Sequence, residues 1–227
     1  MQDYFKKLFR ENAWYFACFV LFLIAGAVLL LNTEKGDAVF YFSDRRSPFW
    51  DAFFVNATKL GEGLFFAVFA IVFLFIRFRT AIMFPILGLT VLLVTNLTKR
   101  FFGRPRPWLY YRELGMDDLL TPVVGAPLLG GANSFPSGHT MAGFALYTFL
   151  ALVVARKRGV AVLLFAIALL VGISRIYLVV HFLEDVYLGA ILGVALAILY
   201  HYLHQKYPNR RWADESLRTI RKRPATP

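Results

Sequence analysis

His181 and Asp185 stand four residues apart at the end of "SRIYLVVHFLED", residues 174–185. On a helix that spacing puts both side chains on one face, within hydrogen-bonding reach. A carboxylate on one imidazole nitrogen fixes the tautomer and leaves the other nitrogen free as a nucleophile or base. A purely structural pair would look the same, and Glu184 competes for the histidine at i+3. Arg175, at the end of the preceding apolar run, can offer a guanidinium fork to phosphate oxygens.

A second polar cluster, "NSFPSGHT" at residues 133–140, precedes another apolar run. Pro136-Ser137-Gly138 reads as a helix start, whose first backbone N–H groups and positive end form an anion site. Ser137 either caps that helix or hydrogen-bonds an oxyanion, and Gly138 lets a ligand approach the backbone. His139 falls in the first turn, where a bound phosphate would favour its protonated form. An ordinary N-cap followed by a surface histidine explains the stretch equally well.

The third cluster is "KRFFGRPRPW", residues 99–108, which places Lys99, Arg100, Arg104 and Arg106 directly after the uncharged run Ala81–Thr98. Pro105 and Pro107 hold the last two arginines in an extended segment. His139, His181 and Asp185 would also make a two-histidine, one-carboxylate metal set. The surrounding Lys99, Arg104, Arg106 and Arg175 would repel a divalent cation, and they suit a phosphoryl group instead. No metal and no cofactor is expected.

The elements that must position these groups are membrane helices. Of the 227 residues, 59% are hydrophobic and only 17% charged, and the charges are gathered between long apolar runs; soluble domains carry about 25%. The pattern predicts an all-α, polytopic six-transmembrane-helix bundle. Its spans are read as Ala13–Leu31, Gly63–Ile76 with an extension back to about Ala57, Ala81–Thr98, His139–Ala155, Gly159–Ile173 with an extension to Val180, and Phe182–Tyr200. Ala13–Leu31 lacks a short apolar core with a small-residue cleavage site and is read as a retained span. The single cysteine, Cys18, excludes an intrachain disulfide and a cysteine-based metal site.

Six spans put both termini on one side, together with residues 77–80 and 156–158. Those segments hold 15 of the 25 Lys/Arg but only 4 of the 14 Asp/Glu, so the whole formal charge of +11 lies there. The positive-inside rule assigns that side to the cytoplasm. All three polar clusters then fall at span ends on the non-cytoplasmic face, while His201 and His204 lie on the cytoplasmic side and cannot join them. A cytoplasmic anchor therefore does not account for the cations of residues 99–106.

Residues 1–12 alternate aromatic and basic side chains and suit an interfacial helix. "SPFWDAFFVNATKL" suits another, with Ser47 as N-cap, Pro48 at the first helical position, and Phe49, Trp50, Phe53 and Phe54 facing the headgroups. Residues 1–205 are read as one membrane domain, and 206–227 as a basic cytoplasmic tail favouring anionic lipid. The long connection from Trp108 to Asn133 carries glycine pairs that suggest a mobile cover, with Arg112 as a candidate for substrate selection.

Together the clusters resemble the type 2 phosphatidic acid phosphatase (PAP2) superfamily of membrane lipid phosphatases. That family's pattern appears as Lys99…Arg106-Pro107, Pro136-Ser137-Gly138-His139 and Ser174-Arg175…His181…Asp185, with every position and spacing filled. The resemblance implies that His181 attacks phosphorus, Asp185 orients its ring, and His139 protonates the leaving oxygen. It further implies that Lys99, Arg106, Ser137, Gly138 and Arg175 bind the phosphate without a metal, Arg104 being a possible addition.

The implied activity is hydrolysis of a phosphomonoester or diphosphate on a membrane lipid: undecaprenyl diphosphate, phosphatidylglycerophosphate, phosphatidate or lipid A. The alternatives are a lipid phosphotransferase using the same phosphohistidine, and a non-catalytic anionic-lipid binder. Compact length suggests a bacterial inner membrane with a periplasmic site. The expected partners are the bilayer and a phospholipid or polyprenyl phosphate substrate, with no nucleic acid.

Overall fold

The computed structural model describes residues 2–126, 128–154, 158–206 and 215–220, and among them there is no strand. The helices are α1 (Gln2–Glu11), α2 (Ala13–Asn32), α3 (Asp37–Ser43), α4 (Pro48–Ala57), α5 (Gly63–Leu74), α6 (Phe78–Phe102), α7 (Pro107–Glu113), α8 (Gly138–Val154), α9 (Arg158–Tyr177), α10 (Leu183–Lys206) and α11 (Leu217–Ile220). The chain is thus an all-helical membrane protein.

The hydropathy pattern places every long apolar helix, but not each as a full-length span. By length and apolarity α2, the run Phe78–Glu113, α9 and α10 can each cross a membrane. α5 has only 12 residues; it completes a crossing only together with Pro48–Gly61, to which it is bent by 56°. The helix α8 has 17 residues and lies at the centre of the bundle, buried almost continuously from Thr140 to Ala151. Its neighbours α6, α9 and α10 wall it off from lipid, so it need not itself match the bilayer thickness.

Lipid offers apolar surfaces no hydrophobic reason to associate, so close backbone approach and interhelical hydrogen bonds must hold the bundle. α8 and α10 meet through Gly189 and Gly193. A Cβ at Gly193 would stand 2.9 Å from the Ala145 N, and one at Gly189 would stand 2.7 Å from the Ser137 carbonyl oxygen. Tyr15 on α2 hydrogen-bonds Thr148 on α8 at 2.6 Å, and the Tyr187 hydroxyl on α10 donates to the Leu23 carbonyl on α2. Such bonds contribute about 0.6 kcal/mol each in a membrane.

The flanking segments differ in part from their sequence-based expectations. Ser47 does cap α4, its hydroxyl accepting from the Trp50 N–H, with Pro48 at the first position. Phe54, however, turns inward and stacks on Tyr177 with ring centroids 4.3 Å apart, because α4 packs on α9 rather than lying free in the headgroups. In the connection after Trp108, Leu120 and Val123 are buried in separate apolar clusters and tie its first half to the bundle. Gly130 has a packing role: a Cβ there would come within 2.9 Å of the Trp108 ring. Most of the basic tail lies outside the described residues; the Glu215 backbone carbonyl accepts from the Phe78 N–H, bringing α11 to the start of α6.

Candidate active site

Three chain turns deliver the polar clusters to one end of the bundle. α6 stops at Gly103, whose φ of 56° is left-handed and whose N–H closes on the Lys99 carbonyl. Glycine takes that conformation without steric cost. Lys99 therefore sits in the last turn of α6, and Arg106 follows as the residue before Pro107 in α7.

α9 ends by folding back on itself: the Val180 and His181 N–H groups both donate to the Arg175 carbonyl. The turn needs a left-handed residue, which is Val179, with φ 57°. A β-branched side chain is strained there, at a cost of about 1–3 kcal/mol. Complete burial of Val179 offsets it.

His181 and Asp185 do meet, but not on a shared helical face. α10 begins only at Leu183, so His181 belongs to the connector. Asp185 reaches back across the helix start, its Oδ2 accepting from the Phe182 N–H at 2.9 Å and lying 3.2 Å from His181 Nδ1. The first of these is the backward half of a capping box. The Ser137 N–H donates to the Asp185 carbonyl at 2.9 Å, tying the α8 start to the same turn.

Ser134 completes the arrangement, and no role for it was legible in the sequence. It is wholly buried, donates its hydroxyl to Asp185 Oδ2 at 2.5 Å, and lies 3.3 Å from His181 Nδ1. Nδ1 is thereby the protonated nitrogen, and Nε2 is left out of these bonds. The imidazole is pushed well below its ordinary pKa, by burial first and then by Arg175, Arg106 and Lys99. It is a neutral ring with an available lone pair.

The cations are held individually. Arg106 is buried, giving Nε to the Asn133 side chain at 2.8 Å and Nη1 to the Val180 carbonyl at 3.0 Å. Arg175 donates Nη1 to Thr58 in the 3₁₀ turn that breaks the α4–α5 span, and its Nε is buried with no protein partner. A buried, unpaired guanidinium donor calls for an acceptor such as a phosphoryl oxygen. His139 lies within electrostatic reach of Arg175, His181, Lys99 and Arg106.

Ser137 acts as the cap of α8, with Thr140 donating both its N–H and its hydroxyl to Ser137 Oγ. Gly138 is required by packing, since a Cβ would fall 2.7 Å from the Thr95 methyl carbon. The amides of Gly138 and His139 remain as the first-turn donors. Arg104 stands apart, exposed over the Phe135 ring at 4.4 Å. Among the described residues no three His, Cys, Asp or Glu side chains converge as a metal-ligand set.

A family model described as the PAP2 superfamily matches residues 80–208, which contain every one of these groups except Thr58. The chain belongs to the PAP2 superfamily. A probable lipid phosphate phosphatase 4 of Arabidopsis thaliana is 34% identical over 55% of this chain and 49% of its own length. A lipid A 4'-phosphatase of Bacteroides thetaiotaomicron is 28% identical over 77% of this chain and 78% of its own length. The crystal structure of a PAP2-type phosphatidylglycerolphosphate phosphatase from Bacillus subtilis superimposes with a TM-score of 0.59 at 27% identity, covering 87% of this chain and 98% of that one. Against the first curated relatives the chain spans about half their length or less. PAP2 membership thus agrees with the resemblance read from the three motifs.

Proposed function

We propose that this PAP2 protein hydrolyses a phosphomonoester or diphosphate on a membrane lipid through a phosphohistidine. The observation that carries the reading is the neutral His181, its Nδ1 engaged by Asp185 and Ser134 and its Nε2 free beside Arg106, Arg175 and Lys99. His181 Nε2 forms the bond to phosphorus while the bond from phosphorus to the lipid oxygen breaks. His139 gives its proton to that leaving oxygen, then takes one from the water that attacks the phosphohistidine, releasing inorganic phosphate. His139 can serve as the acid because the bound phosphoryl group brings negative charge among the cations around it. Lys99, Arg106, Arg175 and the Gly138 amide neutralise the phosphoryl oxygens in the transition state.

Undecaprenyl diphosphate, phosphatidylglycerophosphate, phosphatidate and lipid A are the substrates to compare. The relatives named as lipid phosphate and lipid A phosphatases support this range. In the same reading residues 1–205 form one domain of a bacterial inner membrane, with both termini and the basic tail cytoplasmic and the site periplasmic. The charge asymmetry supports that orientation.

The test is phosphate release by purified protein from that lipid panel, together with rapid quenching after addition of a substrate labelled at phosphorus. An acid-labile, base-stable label on wild type that is absent from His181→Ala is the expected result. Unchanged turnover in His181→Ala and His139→Ala would overturn the mechanism.

A further inference from the structure

The opposite end of the bundle contains a second polar centre. From Asp185 to His204 along α10 the rise is about 28 Å, so this centre has no part in the site just described. A cavity of about 830 Å³ opens there between α1, the α5–α6 corner and the last turns of α8 and α10. Volumes of this order accommodate a lipid headgroup rather than a few waters.

Its lining is divided. Among the described residues one side is polar, with the cations Lys7 and Arg77, the imidazoles of His201 and His204, the Gln205 amide and the acid Glu11. The imidazoles are fixed parts of the wall: His201 Nδ1 lies 2.9 Å from the Tyr4 hydroxyl and His204 Nε2 lies 3.0 Å from Thr80 Oγ1. The other side is apolar, formed by Phe73, Ile76 and Leu152–Val154. Ile76 is 55% exposed and continues that wall onto the outer surface of the bundle.

The mouth carries residue types that gather at a membrane interface. α1 lies across the mouth, packing Phe9 against Phe16 with centroids 4.7 Å apart while Lys7 stays exposed. Arg158, at the same end, stacks over Trp14 at 3.6 Å, and tryptophan gathers at headgroup level. A soluble anion would use the basic side alone. An apolar wall running out to the surface beneath a basic rim fits a molecule with a phosphate at one end and acyl chains at the other.

We propose that this cavity binds the headgroup of an anionic membrane phospholipid, its phosphate near Lys7 and Arg77 and its acyl chains against Phe73, Ile76 and Val153. The lipid ties α1 to the ends of α8 and α10 and is not a substrate.

The probe is phosphatidylglycerol in mixed micelles with the full-length, delipidated protein, compared with phosphatidylcholine and with inorganic phosphate. The readouts are lipid copies retained by native mass spectrometry and the shift in thermal unfolding. Phosphatidylglycerol is expected to be retained and to raise the unfolding temperature, both in wild type and in His181→Ala. Lys7→Gln with Arg77→Gln should weaken retention by roughly 30-fold, about fivefold for each basic residue near an anionic surface. Val153→Phe narrows the apolar wall with the charges intact and should also lower retention.

Three results would overturn the proposal. One is equal retention of phosphatidylcholine. Another is phosphatidylglycerol binding that disappears in His181→Ala but survives both cavity variants, which would place the lipid in the phosphate site. The last is a full thermal shift from inorganic phosphate alone, which would make the cavity a free-anion site.

Discussion

Ser134 and Asp185 share a 2.5 Å hydrogen bond across 51 residues of sequence, and the same carboxylate oxygen faces His181 Nδ1. The serine hydroxyl therefore fixes the oxygen that fixes the imidazole. Ser134→Ala should lower kcat by roughly 10- to 100-fold, since a hydrogen bond to a charged group is worth about 1.5–3 kcal/mol. KM should move little, because Ser134 is placed behind the histidine. Ser134→Thr should restore part of the rate, and steady-state kinetics on a soluble short-chain substrate would show the split. Loss confined to KM, or equal loss in both variants with a lowered unfolding temperature, would make Ser134 merely structural.

The depressed His181 pKa has a defined sign. An unfolded chain takes up a proton on this histidine as pH falls through about 6.5, while the folded chain does not, because burial and three cations oppose it. The group thus contributes nothing to the pH dependence of stability above about pH 7 and lowers stability progressively below 6.5. Wild type should lose thermal stability between pH 7 and 5 more steeply than His181→Gln, each measured in the same detergent. Parallel slopes would mean that the folded imidazole titrates normally.

The residue types of the candidate site and their spacing were legible because charged side chains stand out in an apolar chain. Long helices were legible for the same reason. What supports the site was not. Ser134, Asn133 and Thr58 are small polar residues whose partners Asp185, Arg106 and Arg175 are distant in sequence, so no local period marks them. The Gly189–Gly193 spacing was a usable signal for the α8–α10 contact, being a small-residue repeat in an apolar helix. The broken α4–α5 span could not be read from hydropathy, which sums composition and is blind to a bend at Glu62.

Arg104 and Arg106 separate by the same logic of partners. Arg106 is buried and uses two guanidinium nitrogens on Asn133 and Val180, a geometry lysine cannot reproduce. Arg106→Lys should reduce kcat/KM by at least about 100-fold, corresponding to roughly 3 kcal/mol. Arg104→Gln should retain activity within about threefold, since its charge is exposed over Phe135 and surface charges contribute little. A comparable loss in both would place Arg104 on the phosphate.

The α8–α10 contact offers a graded test of how the fold sets the site. Gly189 lies against the Ser137 carbonyl, one residue from the first-turn amides of α8, whereas Gly193 lies one turn deeper, against Met141 and Ala145. An added methyl forces the helices apart at either position, and overpacking of this kind costs about 1–3 kcal/mol. Gly189→Ala also displaces Ser137, whose N–H holds the Asp185 carbonyl. The two variants should therefore lose similar thermal stability, while Gly189→Ala loses about tenfold more kcat, since a shift below 1 Å at the reacting groups is enough. Equal kcat in the two variants would show that the site tolerates movement of the α8 start, and that the Ser137–Asp185 bond does not set the histidine.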